Sequence, residues 1–392
     1  MQQPQLHICL VGGGFGGLYT ALRLNQLPWN PQAKPRITLI DKKDHFLFAP
    51  LLFEYLNEEL QSWEIAPPFA ELLTDSNIEF KQAEVIGFEL DRQKIYLGNQ
   101  TQISYDFLVL ASGMATPTNT IVGAQEYALP FRTLSDARKV REKLKSLLNL
   151  DLDKIRIAIV GGGYSGIELA CKIADLLGDR GRIRIIEKGD EILKHSSKFN
   201  QESSKRVLEK KHIHIDTNTS VESITSNTIS LLHRGQVSIL PVELVLWTVG
   251  NTVPELITNI SLEKNGQGLL DVNQFLQVKG HDFIYALGDI AQINQDIPKT
   301  AQAAIQQADF CAWNIWASIN NKPLLPFRYS ALGEMLSLGI DDASISGLGI
   351  NLEGILGYLT RRMVYLYRLP TLKHQMNVGL HWLTQPIFKN FS

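Results

Sequence analysis

ICLVGGGFGGLYTALRL (Ile8–Leu24) and IAIVGGGYSGIELACKI (Ile157–Ile173) are the same phrase written twice in one chain of 392 residues. Each opens on an apolar run, the pattern of a strand buried on both faces. Each then turns through glycines and enters a helix with small residues on one side. A second apolar strand follows and closes on an acid, RITLID at Asp41 and RIRIIE at Glu187. Gly12, Gly14 and Gly17 fit the spacing G-x-G-x-x-G, and Gly161, Gly163 and Gly166 repeat it. The first glycine allows the tight turn. The second lets a pyrophosphate approach the backbone, and the third lets helix and strand pack closely. The free N–H groups and positive end of the helix then face the phosphates. Asp41 and Glu187 stand where a carboxylate accepts hydrogen bonds from ribose hydroxyls. One such match is a weak signal, since a glycine-rich turn gives it too. Two matches, each led by a strand and followed by an acid, predict two dinucleotide-binding domains. They imply a tightly held FAD and an exchangeable NADH or NADPH.

The rest of the chain repeats around the two phrases. YDFLVLASGMATP (105–117) and VELVLWTVGNTVP (242–254) are both strands that run into glycine, which marks Ala111, Gly113 and Gly250 as cofactor-side positions. A later strand, DFIYALGDI, brings Gly288 and Asp289 in front of an Ala-rich helical pattern, AQAAIQQ (301–307). The expected fold is α/β, with two Rossmann-like domains. The NAD(P)H domain (151–270) is inserted in an FAD domain (1–150 and 271–340), and an amphipathic helical tail follows (341–392). A net charge of −2 argues against a nucleic-acid partner. Cys9, Cys171 and Cys311 are far apart in sequence and form no short pair, so they read as packing residues of a protein from a reducing compartment. No metal site is expected. There is no targeting segment in view and no apolar run long enough to span a bilayer.

At this point the chain resembles a family. The order of FAD cradle, NAD(P)H cradle and returning FAD segment looks like the two-dinucleotide-binding-domain flavoproteins. FLFAPLL (46–52), ASGMATP (111–117) and AQAAIQQ together resemble the type II NAD(P)H:quinone oxidoreductases. GGGFGGLYTALRL with WEIAPPFAELL (63–73) resembles the plant and cyanobacterial demethylphylloquinone reductase branch. The resemblance covers essentially the whole chain. It implies that Asp289 lies near the flavin ribityl chain and pyrophosphate, although Asp also favours a helix N-cap.

It further implies that AQAAIQQ lines a quinone pocket. Gln302 and Gln306 are four apart and share a helix face. An amide N–H can donate to a quinone carbonyl without adding charge to an apolar pocket. These two are the expected quinone contacts. Glu168 matches a family acid near the nicotinamide side of the flavin, where it positions the nicotinamide or assists proton movement. The alternative for Glu168 is an acid placed by the helix dipole. For the donor, Glu187 should favour NADH, Lys188 and Arg184 could soften its repulsion of a 2′-phosphate, and the branch implies NADPH.

The tail carries Leu356, Leu359, Met363 and Leu366 at helical spacing, with Arg361, Arg362, Arg368, Lys373 and His374 adding polar or positive groups. Leu380, Trp382 and Leu383 follow. This suits an amphipathic foot on an anionic bilayer, and therefore a lipid-soluble quinone. The expected setting is peripheral, on the cytoplasmic face of a cyanobacterial thylakoid or plasma membrane, with a homodimer through the tail as a further expectation. The other readings are a respiratory type II NADH dehydrogenase acting on plastoquinone or ubiquinone, a soluble reductase of a protein carrier such as ferredoxin, and a redox sensor.

Overall fold

The structure is a computed structural model that describes residues 5–117, 121–293 and 297–389, the last five of these by backbone alone. In chain order the elements that matter are β1 (His7–Val11), α1 (Phe15–Gln26), β2 (Arg36–Asp41), β3 (Ile78–Gln82) and β4 (Phe107–Leu110). Then come β5 (Ala128–Pro130), α2 (Leu134–Leu148), β6 (Ile155–Val160), α3 (Tyr164–Leu177), β7 (Gly181–Ile186), β8 (His214–Asp216) and β9 (Leu244–Trp247). The last are β10 (Ile284–Ala286), α4 (Ala301–Ile319), β11 (Glu334–Gly339), β12 (Asp342–Gly347), β13 (Ile350–Glu353), α5 (Gly354–Arg368) and α6 (Leu372–Lys389).

The chain folds as two compact units. The first comprises residues 1–47, 66–115 and 251–330, and the second 48–65, 116–250 and 331–392. The first holds a five-stranded parallel sheet in the order β10–β4–β1–β2–β3. Ile8, Cys9, Leu10, Ile37, Leu39 and Ile40 are fully buried in it, as expected for strands covered on both faces. The second unit has the same kind of sheet, β8–β7–β6–β9–β5, again all parallel. β3 in one unit and β8 in the other are each followed by a three-stranded antiparallel ribbon, Val85–Ser104 and Thr219–Pro241 respectively. Duplication therefore reaches well beyond the glycine phrases.

The edge strand opposite β3 or β8 is where the copies diverge. In the first unit it is β10, which comes late in the chain; in the second it is β5, which comes before the glycine phrase. Consequently β5 and α2 belong to the unit of the second cradle, whose segment around that cradle runs from 116 to 250. An edge strand of three residues leaves almost no periodic signal. α2 starts at a reciprocal capping box: Thr133 caps it and Asp136 reaches back.

The second unit also contains the antiparallel sheet β11–β12–β13 and the helices α5 and α6. α5 packs on β12, and α6 packs back on α5. Among the described residues no helix is long and apolar enough to cross a membrane.

Candidate functional site

The two cradles superimpose in their chemistry. A Cβ on Gly17 would lie 1.8 Å from the Gly12 carbonyl oxygen, and one on Gly166 would lie 1.9 Å from that of Gly161. No side chain fits at such a distance, so these glycines set how closely each helix meets its strand. A Cβ on Gly14 or Gly163 would meet nothing within 4 Å. These are the N-caps of α1 and α3; neither helix has a side-chain cap or an acid in its first turn. Each helix thus begins with uncapped N–H donors beside an open backbone face, which is the donor set a pyrophosphate requires. The residues fit a dinucleotide in both units.

The acids at the ends of β2 and β7 hold the turns themselves. Asp41 accepts the Gly13 N–H through Oδ2 at 2.6 Å and the Lys43 N–H through Oδ1 at 2.8 Å. Glu187 accepts the Gly162 N–H through Oε2 at 2.7 Å and the Gly189 N–H through Oε1 at 2.6 Å. Every carboxylate oxygen has further lone pairs, so these bonds leave each acid able to accept more donors. Arg184, the nearby cation, is held by Asp216 at 2.6 Å. Its charge is already matched, while Lys188 stands exposed beside Glu187.

Ala111 is buried at the end of β4. Gly113, Gly250 and Gly288 all turn the chain with positive φ. In the first unit the Gly288–Asp289 turn meets α4. The Gly288 N–H donates to Gln307 Oε1 at 2.6 Å, and Lys299 Nζ donates to the Asp289 carbonyl at 2.6 Å. A cavity there is lined by Gly288, Asp289, Lys299, Thr300, Ala303 and Ala304, among others. Thr300 caps α4, its hydroxyl accepting from the Ala303 N–H at 3.2 Å. The sequence reading saw Gln307 on the helical pattern but gave neither it nor Lys299 a role, because their partners lie about ten to twenty residues upstream.

The expected quinone glutamines are both engaged. Gln302 Oε1 accepts from the Tyr329 hydroxyl at 2.8 Å. Gln306 accepts the Ser330 N–H at 3.0 Å and donates to the Ser330 carbonyl at 2.8 Å.

Glu168 sits in the second unit, on α3, inside a buried charge cluster. Its Oε1 accepts the Ser337 N–H at 2.8 Å and lies 3.4 Å from Arg361 Nη2. Arg361 is fully buried; it bonds Glu54 and donates to the Pro50 carbonyl at 2.7 Å. Lys172, also fully buried, pairs with Glu59. Three carboxyls thus face two cations. Burial pushes the Glu168 carboxyl up to about 7, although Arg361 and the Ser337 N–H pull it down. Burial would also raise Glu54, but Arg361 and Lys172 outweigh it and hold that carboxyl below its ordinary value. For Glu59 burial prevails over Lys172 and the carboxyl is raised. With Glu54 ionised against Arg361, Glu168 is the group placed to bind or release a proton near neutrality.

Two tail residues do something other than expected. Arg361, counted among the surface charges, is the buried centre of this cluster. Trp382, read as an interfacial aromatic, turns inward: its indole N–H donates to the buried Glu64 carboxylate at 2.7 Å and Arg362 lies 4.1 Å over its ring. His381 lies 3.2 Å from the same carboxylate. Leu356, Leu359, Met363 and Tyr367 on α5, and Leu372, Met376, Leu380 and Leu383 on α6, remain exposed. These spacings form an apolar stripe along each helix. Leu366 instead packs against α6 beside Gly379.

Cys9, Cys171 and Cys311 are separately buried and unpaired. Burial pushes the Cys9 thiol up to about 12 and the other two up as well, away from thiolate chemistry.

Residues 6–308 match the family model of pyridine nucleotide-disulphide oxidoreductases. The chain is 54% identical to a demethylphylloquinone reductase of Synechocystis sp., over 99% of this chain and 98% of that one. It is 40% identical to the alternative NAD(P)H-ubiquinone oxidoreductase C1, chloroplastic/mitochondrial, of Arabidopsis thaliana, over 96% and 80% of the two chains. In fold it is similar to NDH2 from Plasmodium falciparum in complex with NADH, at a TM-score of 0.86 and 19% identity over 97% and 98%.

Proposed function

The chain belongs to the pyridine nucleotide-disulphide oxidoreductase family and, within it, to the type II NAD(P)H:quinone oxidoreductases of the demethylphylloquinone reductase branch; from that premise we propose that it reduces a prenylated naphthoquinone, demethylphylloquinone, with NAD(P)H. The observation that carries the reading is the pair of chemically matched cradles in a chain whose three cysteines are buried and apart. Two nucleotides can be held, and no dithiol stands ready to relay electrons. FAD, when bound, supplies the chemistry of accepting a hydride and passing on two electrons.

The residues of the chain do the rest. Gly12, Gly14, Gly17, Asp41, Gly288 and Asp289 hold the flavin nucleotide; Gly161, Gly163, Gly166 and Glu187 hold the nicotinamide nucleotide. Gln302 and Gln306 face the quinone, whose carbonyls need neutral donors. Forming a quinol takes one proton beyond the hydride; Glu168, whose carboxyl burial raises to about 7, is a group of the second unit that can carry a proton at neutral pH. Glu187 favours a free ribose 2′-hydroxyl over a phosphate, and with Arg184 tied to Asp216 the preferred donor is NADH.

The exposed stripes of α5 and α6 dock on a bilayer surface, which brings a lipid-soluble quinone within reach. The setting is peripheral, on the cytoplasmic face of a thylakoid or plasma membrane. Liposome flotation tests this: a protein that does not float, and sediments as a dimer without lipid, has used the stripes for a second copy instead. The acceptor is tested by competition. With both quinones present, demethylphylloquinone should be consumed ahead of plastoquinone; preferential use of plastoquinone would make the enzyme a respiratory-type dehydrogenase.

A further inference from the structure

The Gly288–Asp289 turn is gripped at both ends. Gly288 turns with a positive φ and donates its N–H to Gln307 Oε1 at 2.6 Å. Lys299 Nζ donates to the Asp289 carbonyl at 2.6 Å and lies 3.4 Å from the Ala291 carbonyl. Gln307 stands in the second turn of α4 and is only 3% exposed, while Lys299 belongs to the segment just before that helix. Both line the same cavity, together with the buried Ala303 and Ala304.

These two side chains make the cavity a donor site. A backbone N–H needs an acceptor, so the Gly288 bond fixes which end of the Gln307 amide is oxygen. The other end is an NH2 that no acceptor among the described residues engages. A buried donor left unmade is costly, so this one calls for an acceptor that a ligand brings. Lys299 is exposed along its stem, but its ammonium end turns back against the protein. Burial lowers its pKa and prevails over the Asp289 carboxylate, which acts the other way. The carbonyls it bonds are neutral and do not cancel its charge. A charge in a partly desolvated place is screened less than one in water.

The flavin changes charge when it reacts. Accepting a hydride brings in two electrons and one proton, so it gains one negative charge. Its pyrophosphate keeps the same charge throughout. A cation and a neutral donor near the ring therefore bind the reduced form more tightly than the oxidised one, and that difference raises the reduction potential. We propose that Lys299 and Gln307 are flavin-side donors that raise the reduction potential of the bound FAD, Lys299 by its charge and Gln307 by its NH2. The proposal rests on the reading that Gly288 and Asp289 hold the flavin nucleotide.

The test is the midpoint potential of the flavin in the full chain, loaded with FAD and titrated spectroelectrochemically at neutral pH. Lys299→Met keeps the length of the side chain and removes the charge. It should weaken reduced relative to oxidised FAD by roughly tenfold, which lowers the midpoint by about 30 mV. Lys299→Arg should keep the midpoint near the wild-type value. Gln307→Glu keeps an acceptor for the Gly288 N–H and puts a negative oxygen where the NH2 stood, so it should lower the midpoint at least as far. If Lys299→Met sheds its FAD, Lys299→Gln takes its place, since it can still donate to the Asp289 carbonyl. An unchanged midpoint in the uncharged variant overturns the proposal; if FAD affinity has fallen all the same, the ammonium serves the pyrophosphate. A midpoint that moves with Lys299 but not in Gln307→Glu overturns the part given to Gln307. A wild-type chain that takes up no FAD refutes the reading of the first cradle, and this proposal with it.

Discussion

Glu168→Gln isolates a single proton. Glutamine is nearly the same size, keeps an acceptor for the Ser337 N–H and removes only the charge. In the folded protein burial lifts the carboxyl from an ordinary 4.5 to about 7. Below pH 4.5 it is protonated whether the chain is folded or not, and contributes no pH dependence. Between 4.5 and 7 the unfolded chain releases the proton while the folded one keeps it, so stability falls as pH rises. Above 7 the folded protein carries the buried charge and the loss is complete. At 1.36 kcal/mol for each pH unit between the two titrations, the full loss is roughly 3 kcal/mol. Most of it accrues between pH 5 and pH 8, so over that range Glu168→Gln should gain roughly 2 to 3 kcal/mol relative to the wild type. The assay is urea unfolding of both proteins at each pH, paired with difference infrared spectra of wild type minus variant to follow the carboxyl band. A stability difference that is flat from pH 5 to pH 8, or a carboxyl band that titrates near 4.5, would refute the argument from burial.

Other substitutions test the remaining links. Arg361→Met leaves Glu54 buried without its cation and should cost about 3 to 5 kcal/mol, read as a lowered midpoint of thermal unfolding; adding Glu54→Gln should restore part of it. Glu187→Gln removes the repulsion of a 2′-phosphate and should raise the ratio of NADPH to NADH kcat/KM, and an unchanged ratio would mean that the acid serves only its turn. Leu359→Glu with Met363→Glu places charge in the exposed stripe and should abolish flotation with anionic liposomes while leaving the circular dichroism unchanged. Deleting α5 would be a poorer test, because the same helix delivers Arg361 to Glu54 and Glu168.

The parts of the fold that were legible in the sequence are those written in local spacing. Gly12, Gly14 and Gly17 with Asp41 declare a cradle because turn, helix start and acid lie within about thirty residues, and their physical demands are steric. That Asp41 and Glu187 each spend two bonds on their own turn could not be read, since the spacing fixes where an acid stands and not what it accepts. Arg361 and Trp382 were misplaced for a related reason. A helical pattern tells which residues share a face, but an arginine is read as solvated unless its partners are known, and Glu54 lies about three hundred residues away. The amides of AQAAIQQ were visible as a stripe. Their pairing with Tyr329 and Ser330 was not, because a strap without helix or strand has no period to detect.

The central claim is that electrons pass from a reduced nicotinamide through the flavin to a naphthoquinone. It is tested most directly by anaerobic stopped-flow absorbance of the flavin. One equivalent of NADH should bleach the flavin, and detergent-solubilised demethylphylloquinone mixed in next should restore its colour at a rate that keeps pace with steady-state turnover. Bleaching that persists after demethylphylloquinone, and after plastoquinone in its place, would contradict the account and leave a reductase of some other carrier or a sensor of the nicotinamide pool.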